Sequence, residues 1–385
     1  MERTLYNANW LTPDHQAFAE SSNRFFEAEL LPSMVRWRQN GQVDREFWRS
    51  AGAIGLLGAS APVEFGGSGC PRSFDAVTLY QQNKFGDTSW GFSVHNFVMH
   101  YVAQYGTAEQ RARWLPGLIS GEIIPAIAMT EPGTGSDLKA IRTTATKCEK
   151  GYLVNGSKTF ISNGQLADLV CLVARTEHTG SAREISLIMV ETADAEGFRR
   201  GRNLEKIGLH GQDTSELFFD EVIVPADNLL GGKPGHGFRQ LMEQLAWERL
   251  SVGIMALGAC DYAIDTTLDH VQDRRAFDKR LFDFQNVRFK LAEAKTKLEV
   301  TRAFIDQCIE KIDAGGLDPS TAAMAKWWSS QTQCEIVDEC LQLFGGYGYM
   351  TEYPISQLFI DARVQKIYGG SNEIMKELIA RSMER

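Results

Sequence analysis

The chain has 385 residues, of which 43% are hydrophobic and 23% charged, an ordinary composition for a globular protein of two or three domains. A net charge of −9 argues against a nucleic-acid-binding protein, because phosphate contacts require a basic face. Seven cysteines without CxxC pairing, no apolar run long enough to span a bilayer and no signal-peptide pattern at the start predict a reduced, cytoplasmic protein.

The first region, residues 1–123, shows helical periodicity from residue 14 to about residue 120. Apolar residues recur three and four positions apart in segments such as DREFWRSAGAIGLLG and SFDAVTLYQQNKFG. Short breaks that contain Gly or Pro separate these segments. The pattern predicts an all-α domain.

The second region, residues 124–230, changes to β-branched and aromatic runs that turn signals divide. ADLVCLVART, EISLIMVET and ELFFDEVIVP read as strands, and YLVNGSKTF predicts a hairpin with Asn155 and Gly156 in its turn. These strands follow one another without intervening helices, which favours a small antiparallel barrel or sandwich over a parallel βαβ sheet.

The third region, residues 231–385, is helical again. Four long amphipathic segments predict a bundle: 238–273, 284–313, 319–343 and 372–383. The fold class is therefore α+β, with an N-terminal all-α domain, a middle antiparallel β-barrel domain and a C-terminal four-helix bundle.

Three glycine-bearing segments are candidates for binding. EPGTGSD at 131–137 lacks the third glycine and the following helix of a dinucleotide fingerprint, and a plain turn would explain its glycines, yet its small and hydroxyl residues would let backbone amides approach an anion or a ring edge. LQLFGGYGYMTEYP at 341–354 is a glycine-rich segment between two predicted helices. IYGGSNEIMKEL at 367–378 places Ser371 before a new helix, whose N-terminal amides suit a phosphate or a polarised oxygen.

A single carboxylate interrupts an apolar helical stripe in the third region. Glu248 shares this stripe with Leu241, Leu245, Val252, Met255 and Ala259. A carboxylate that faces a core costs several kcal/mol unless it is paired or protonated. The stripe alone leaves open a structural ion pair and a catalytic base, and it favours the ion pair.

Five motifs, in this order and at compatible spacing, resemble the acyl-CoA dehydrogenase family: AMTEPGTGSD, NGSKTFISNG, RRAFDKRLFDFQ, QLFGGYGYMTEYP and IYGGSNEIMKELIAR. The resemblance runs from the N-terminal helices to about Arg381. It implies an enzyme of fatty-acid or branched-acyl catabolism that uses FAD to remove hydrogens from Cα and Cβ of an acyl-CoA thioester. It also implies a homotetramer and an electron-transferring flavoprotein as the electron acceptor.

The resemblance carries cofactor contacts over to particular residues. Thr130 would bond the flavin ring, Ser136 the pyrophosphate, and Phe160 would pack on the ring. Further contacts, some of them across a subunit interface, are implied for Met129, Gly135, Ser162, Arg274, Phe277, Gln285, Gln342, Gly345, Gly346, Ser371 and Glu373.

The catalytic base is the main departure from the commoner family pattern. Many members place it directly after the Tyr of the YxGxx motif, where this chain has Gly369, which cannot accept a proton. The long-chain and isovaleryl subgroups, which the chain resembles more closely, take the base from a helix just before an Arg-Leu pair. Glu248-Arg249-Leu250 occupies that place, so the resemblance favours Glu248 as the base.

The resemblance also implies the substrate contacts. The Gly369 amide, together with a flavin ribityl hydroxyl, would bond the thioester carbonyl and stabilise the developing enolate. The remaining substrate-binding candidates are Ser136, Arg249, Gly370 and Arg381. Glycine at 369 leaves space near Cα and Cβ, which predicts tolerance of branched acyl chains, and plain long chains are the other substrate class left open. Two alternatives remain, a flavin-dependent monooxygenase or oxidase on this fold and a redox-silent acyl-CoA-binding protein.

Overall fold

The computed structural model describes residues 5–176 and 184–384, and its N-terminal part is helical, as predicted. Thr12 and Thr107 form capping boxes that fix the starts of the first and last of these helices. The helices are α1 (Pro13–Phe25), α2 (Met34–Asn40), α3 (Arg45–Ala53), α4 (Arg72–Lys84), α5 (Phe92–Tyr105) and α6 (Ala108–Ser120). Across the described ranges, no helix is long and apolar enough to cross a membrane.

The middle part forms one curled sheet. Its strands are β1 (Pro125–Ala128), β2 (Thr144–Cys148), β3 (Gly151–Ser162), β4 (Leu169–Arg175), β5 (Ile185–Glu191), β6 (Phe198–Asn203) and β7 (Thr214–Val224). β4 pairs with β5 on one side and with β1 and β2 on the other, and the order continues through β3 and β7 to β6. The predicted β domain is confirmed as this curled sheet.

One difference from the prediction is the parallel pairing of β4 with β1 and with the start of β2. Parallel neighbours need a long connection, and the β2–β3 hairpin, inserted between β1 and β4, supplies it.

The hairpin predicted around Asn155 and Gly156 is wrong. β3 continues through both residues, and the hairpin turn is formed by residues 149 and 150, between the paired Cys148 and Gly151. Gly156 has φ +152° and lies at a β-bulge in the β3–β7 ladder. A Cβ there would lie 2.5 Å from Thr143 Oγ1, so close backbone approach, not a turn, requires this glycine.

The C-terminal part contains the four predicted helices and one more. They are α7 (Gly237–Asp273), α8 (Gln285–Asp313), α9 (Pro319–Phe344), α10 (Pro354–Ala362) and α11 (Asn372–Ser382). A two-stranded ribbon, β8 (Arg275–Ala276) and β9 (Lys279–Arg280), separates α7 from α8. α7 has 37 residues. At 1.5 Å per residue it is about 55 Å long, so it extends across the bundle.

The N-terminal helices and the C-terminal bundle share one hydrophobic core. Trp37 and Trp48 from the first part belong to the same buried cluster as Trp247, Leu250 and Ile254 of α7. The inner face of the curled sheet has a separate cluster that includes Val154, Val170 and Leu217. The two helical parts therefore form one packed unit around the long helix α7.

Candidate active site

Glu248 lies in the middle of α7 with its side chain almost completely buried. The phenol of Tyr101, on α5, donates a hydrogen bond of 2.8 Å to Glu248 Oε1. Burial raises the pKa of Glu248 to about 7, and the bond from Tyr101 together with the charges of Arg249 and Arg72 opposes the rise. A carboxyl group with this pKa can hold or release a proton near neutral pH.

Two arginines lie close enough to act on the charge of Glu248. Arg249 follows it on α7 and is also buried, and its Nε has no partner in the described part of the chain. Arg72, at the start of α4, donates to Gln244 Oε1 at 3.2 Å and lies 5.5 Å from the ring centre of Trp247. Both guanidinium groups favour the ionised carboxylate.

The loop between α10 and α11 approaches α7 one turn beyond Glu248. Gly369 has φ +64°, and a Cβ built on it would lie 3.7 Å from Cγ2 of Val252. Gly370 has φ +90°, and a Cβ there would meet Met375 at 2.6 Å. Both positions favour glycine because L side chains rarely adopt such φ values. The fold therefore brings the predicted base and the Gly369 backbone to the same region.

The remaining predicted residues of the C-terminal segment lie on α11. Ser371 is its N-cap and accepts from Ile374 N at 3.4 Å, and Glu373 lies exposed in the first turn. The backbone amide and the Ser371 hydroxyl lower the pKa of Glu373. Arg381, in the exposed last turn, is paired with Glu377 at 2.6 Å. No contact in the described structure links Arg381 to Glu248.

In the middle domain, a buried ion pair fixes the backbone around Thr130. Lys158 Nζ donates to the Met129 carbonyl at 3.0 Å and to Glu131 Oε1 at 2.9 Å. Thr159 N donates to the Thr130 carbonyl at 2.9 Å, so the end of β1 is joined to β3 at this point. Burial lowers the pKa of Lys158 to about 8, although Glu131 opposes this shift.

Next to this pair lie the exposed side chains of the same predicted site. Phe160 is 67% exposed at φ +60°, and Ser162 ends β3. Gly135 has no atom within 4 Å of a Cβ built on it, and Ser136 beside it is exposed. A large aromatic ring held open to solvent beside a glycine-rich loop fits a flat, partly apolar cofactor with a phosphate-bearing tail.

A second group of predicted residues lies at the other end of the bundle. Arg274, Gln342, Gly345 and Gly346 line a cavity of about 560 Å³, and Arg274 lies 5.4 Å from the ring centre of Tyr347. Phe277 forms the tip of the β8–β9 turn and is 89% exposed, and Gln285 begins α8. In the described parts of the chain, no hydrogen bond, ion pair or ring contact joins this group to Thr130 or Phe160.

Three residues that make polar contacts in these sites were not predicted from the sequence. Tyr101 lies among buried aromatic residues of α5 and reads as core, while Lys158 and Lys326 are lysines whose complete burial contradicts the usual pattern. Lys326 Nζ donates to the Gly370 carbonyl at 2.7 Å and to Asn372 Oδ1 at 3.0 Å. The segment NGSK was recognised as a motif, but its lysine was not.

The chain matches the family models for the N-terminal, middle and C-terminal domains of acyl-CoA dehydrogenases over residues 12–122, 126–222 and 235–384. The chain belongs to the acyl-CoA dehydrogenase family. It is an FAD-dependent oxidoreductase, as the sequence predicted.

Individual relatives agree with this assignment. The long-chain specific acyl-CoA dehydrogenase of Mus musculus is 47% identical over 373 residues, which are 96% of this chain and 86% of that protein. The isobutyryl-CoA dehydrogenase of Dictyostelium discoideum is 35% identical over 97% of this chain and 90% of that protein. The crystal structure of an acyl-CoA dehydrogenase from Geobacillus kaustophilus superimposes with a TM-score of 0.96 at 43% identity, covering 98% of this chain and all of that one.

Proposed function

We propose that this acyl-CoA dehydrogenase uses Glu248 as the base that removes the α-proton of an acyl-CoA thioester. The observation that carries the proposal is the meeting of two elements: a buried carboxylate on α7 and, one turn away, the Gly369 backbone of the loop before α11. The product is the trans-2-enoyl-CoA.

The protein side of the reaction needs a base in its ionised form. With a pKa of about 7, Glu248 is roughly half ionised at neutral pH and is a stronger base than an ordinary carboxylate. Tyr101 bonds Oε1, which leaves Oε2 to accept the α-proton. The Gly369 N–H donates to the thioester carbonyl and stabilises the negative charge that develops on its oxygen. Bound FAD would supply the acceptor for the hydride that leaves Cβ.

The cofactor is held by two sets of residues. We assign the flavin end to the middle domain and the α11 start, and the adenosine end to the cavity at Arg274. The first set is Met129, Thr130, Gly135, Ser136, Phe160, Ser162, Ser371 and Glu373, and the second is Arg274, Phe277, Gln285, Gln342, Gly345 and Gly346. We propose that the two sets that enclose one flavin come from different subunits of a homotetramer, as the resemblance to the family implies.

The substrate is a long or branched acyl-CoA. The 47% identical long-chain relative and the 35% identical isobutyryl relative both support this class. A Cβ built on Gly369 would make one ordinary contact, at 3.7 Å with Val252, so there is room beside the glycine for a methyl-sized branch of the substrate. Arg249, Gly370, Ser136 and Arg381 are proposed substrate contacts. An electron-transferring flavoprotein is the proposed acceptor, and a cytoplasmic location stays a prediction.

The test is anaerobic reduction of the bound flavin by acyl-CoA, measured as the loss of flavin absorbance. Glu248→Gln, which keeps the shape of the side chain, should slow this reduction by about 10²- to 10⁴-fold and leave FAD content and acyl-CoA binding unchanged. Glu243→Gln is the matched control, because Glu243 lies on the same helix and bonds Tyr105 instead. Near-normal reduction by Glu248→Gln would mean that the base lies elsewhere. Wild-type protein that binds FAD but is never reduced by acyl-CoA would refute the proposed function.

A further inference from the structure

Lys326, on α9, is completely buried, and no carboxylate in the described parts of the chain forms a salt bridge with it, although the charge of Glu373 acts on it from further away. Buried lysines are rare and normally paired with an acid. The ammonium of Lys326 instead donates to two neutral oxygens, the Gly370 carbonyl at 2.7 Å and Asn372 Oδ1 at 3.0 Å. Burial lowers the pKa of Lys326 to about 8, which leaves the group mostly protonated at neutral pH. The buried ammonium group therefore holds a backbone carbonyl of the loop before α11.

The two partners of Lys326 flank the start of α11, and a second residue supports them. Ser330, one turn further along α9, donates to Asn372 Oδ1 at 3.0 Å. On the other side of the loop, Tyr368 N donates to the Val364 carbonyl at 3.1 Å. The backbone is thus held at Tyr368 and again at the Gly370 carbonyl. Gly369 is the residue between these two points.

As a glycine, Gly369 also has few intrinsic restrictions on its backbone conformation. Gly369 and Gly370 both have positive φ, and glycine has more accessible backbone conformations than any other residue. A donor that must meet a developing oxyanion needs fixed geometry, since an error of 1 Å in position can cost about 100-fold in rate. An anchor on the Gly370 carbonyl removes the freedom that two consecutive glycines would otherwise give.

We propose that Lys326 is a positioning residue that fixes the Gly369–Gly370 backbone so that the Gly369 N–H points at the thioester carbonyl. The inference rests on the proposed function, in which that N–H polarises the carbonyl. Lys326 itself touches neither the substrate nor the α-proton.

The alternative is that Lys326 only joins α9 to α11. Both roles predict some loss of stability when the side chain is changed, so stability alone cannot separate them. They differ in what happens to a bound thioester. A misaligned amide reduces the polarisation of the carbonyl, whereas a purely structural role leaves the carbonyl of any correctly folded, FAD-loaded protein unchanged.

The experiment uses a 3-thia fatty acyl-CoA with ¹³C at the thioester carbonyl, a ligand that binds without β-oxidation. Isotope-edited infrared spectra of the FAD-loaded tetramer or other native assembly give the carbonyl stretching frequency, and stopped-flow experiments give the rate of flavin reduction by a substrate. Lys326→Met, similar in volume and without a donor, is compared with Lys326→Arg, which keeps a cation. Lys297→Met is the matched control, because Lys297 lies on the surface of α8 and pairs with Glu335.

In the wild type and in Lys297→Met, the carbonyl band should shift to lower frequency on binding. In Lys326→Met it should return toward the frequency of free ligand, and flavin reduction should slow by about 10- to 100-fold with FAD content retained. Lys326→Arg should recover part of both effects. If Lys326→Met does not fold, the same carbonyl band is measured in Lys326→Gln, which keeps a polar group at the site.

A Lys326 variant that binds FAD and shows the wild-type carbonyl shift would overturn the inference, whatever its rate. The same result would leave the proposed function standing. A wild-type protein that shows no carbonyl shift and no flavin reduction would instead overturn the proposed function. The two failures are therefore distinguishable.

Discussion

Removing the hydroxyl of Tyr101 should raise the pKa of Glu248. The phenol donates to the carboxylate at 2.8 Å in a buried setting, so Tyr101→Phe withdraws a hydrogen bond that favours the ionised form while the ring remains in the core. Hydrogen bonds to charged groups contribute about 1.5–3 kcal/mol, which corresponds to a rise of about one to two pH units. From a starting pKa of about 7, the base of the variant should titrate at about 8 to 9.

The sign of the kinetic effect follows from the role of the ionised form. Raising the pKa lowers the fraction of carboxylate at pH 7 from roughly one half to between roughly a tenth and a hundredth. Flavin reduction should therefore fall by roughly 5- to 50-fold at pH 7 and recover as the pH rises above the new pKa. The acid limb of the rate–pH profile should move to higher pH, with little change in its plateau.

The assay is anaerobic stopped-flow reduction with saturating acyl-CoA across a series of buffers from acid to alkaline pH. Tyr105→Phe is the matched control: Tyr105 lies one turn further along α5 and bonds Glu243 at 2.8 Å, so its loss should leave the acid limb in place. An acid limb that does not move in Tyr101→Phe would refute the argument, because it would mean either that this bond does not hold the base ionised or that Glu248 is not the base.

Four other outcomes are expected. Because burial raises the pKa of Glu248 to about 7 from an ordinary 4.5, the fold binds a proton more tightly than the unfolded chain, so its stability falls as pH rises between these values. Glu248→Gln should then be more stable than the wild type by about 3 kcal/mol above pH 7, and the two proteins should be equally stable below pH 4.5. Equal denaturation midpoints of the variant and the wild type at pH 8 would contradict this. The double variant Glu248→Gly with Gly369→Glu should recover part of the reduction rate that Glu248→Gly loses, and it should favour straight chains. The recovery should be partial because a glutamate at position 369 would be strained at φ +64°. A double variant no faster than Glu248→Gly alone would contradict this prediction. Sedimentation should show a tetramer, with one FAD bound per subunit. A monomer with full FAD content would contradict this prediction. Thioesters branched at Cβ should be oxidised at rates comparable to straight chains of similar length, a result that rejection of every branched substrate would exclude.

The arrangement of helical, β and helical regions could be predicted because periodicity reports which face each segment buries. The candidate base could be found because a carboxylate interrupted an apolar stripe and preceded an Arg-Leu pair. The Asn155-Gly156 turn was wrong because the same dipeptide also suits a bulge where another strand approaches closely. Local sequence does not distinguish these two uses of glycine.

The contacts of Tyr101 and Lys326 could not be predicted, for a different reason. Each joins residues far apart in the chain: Tyr101 to Glu248, and Lys326 to Gly370. A tyrosine on a helix reads as packing and a lysine reads as surface unless the partner is known. Such pairings are set by tertiary structure, and periodicity carries no information about them.

The core shared by the N-terminal helices and α7 has a consequence for synthesis of the protein on the ribosome. Tyr80 of α4 and Asn96 of α5 leave the ribosome before the residues that they bond on α7, since Asp261 and Trp247 follow the entire middle domain. At 5–20 residues per second, the roughly 130 residues between α6 and Ile254 take about 6 to 26 seconds to appear. During that interval the faces of α4 and α5 that α7 covers stay exposed, while the curled sheet, which has its own core, can already close. The nascent chain is therefore a natural client for a chaperone that binds exposed apolar helix faces until α7 is complete.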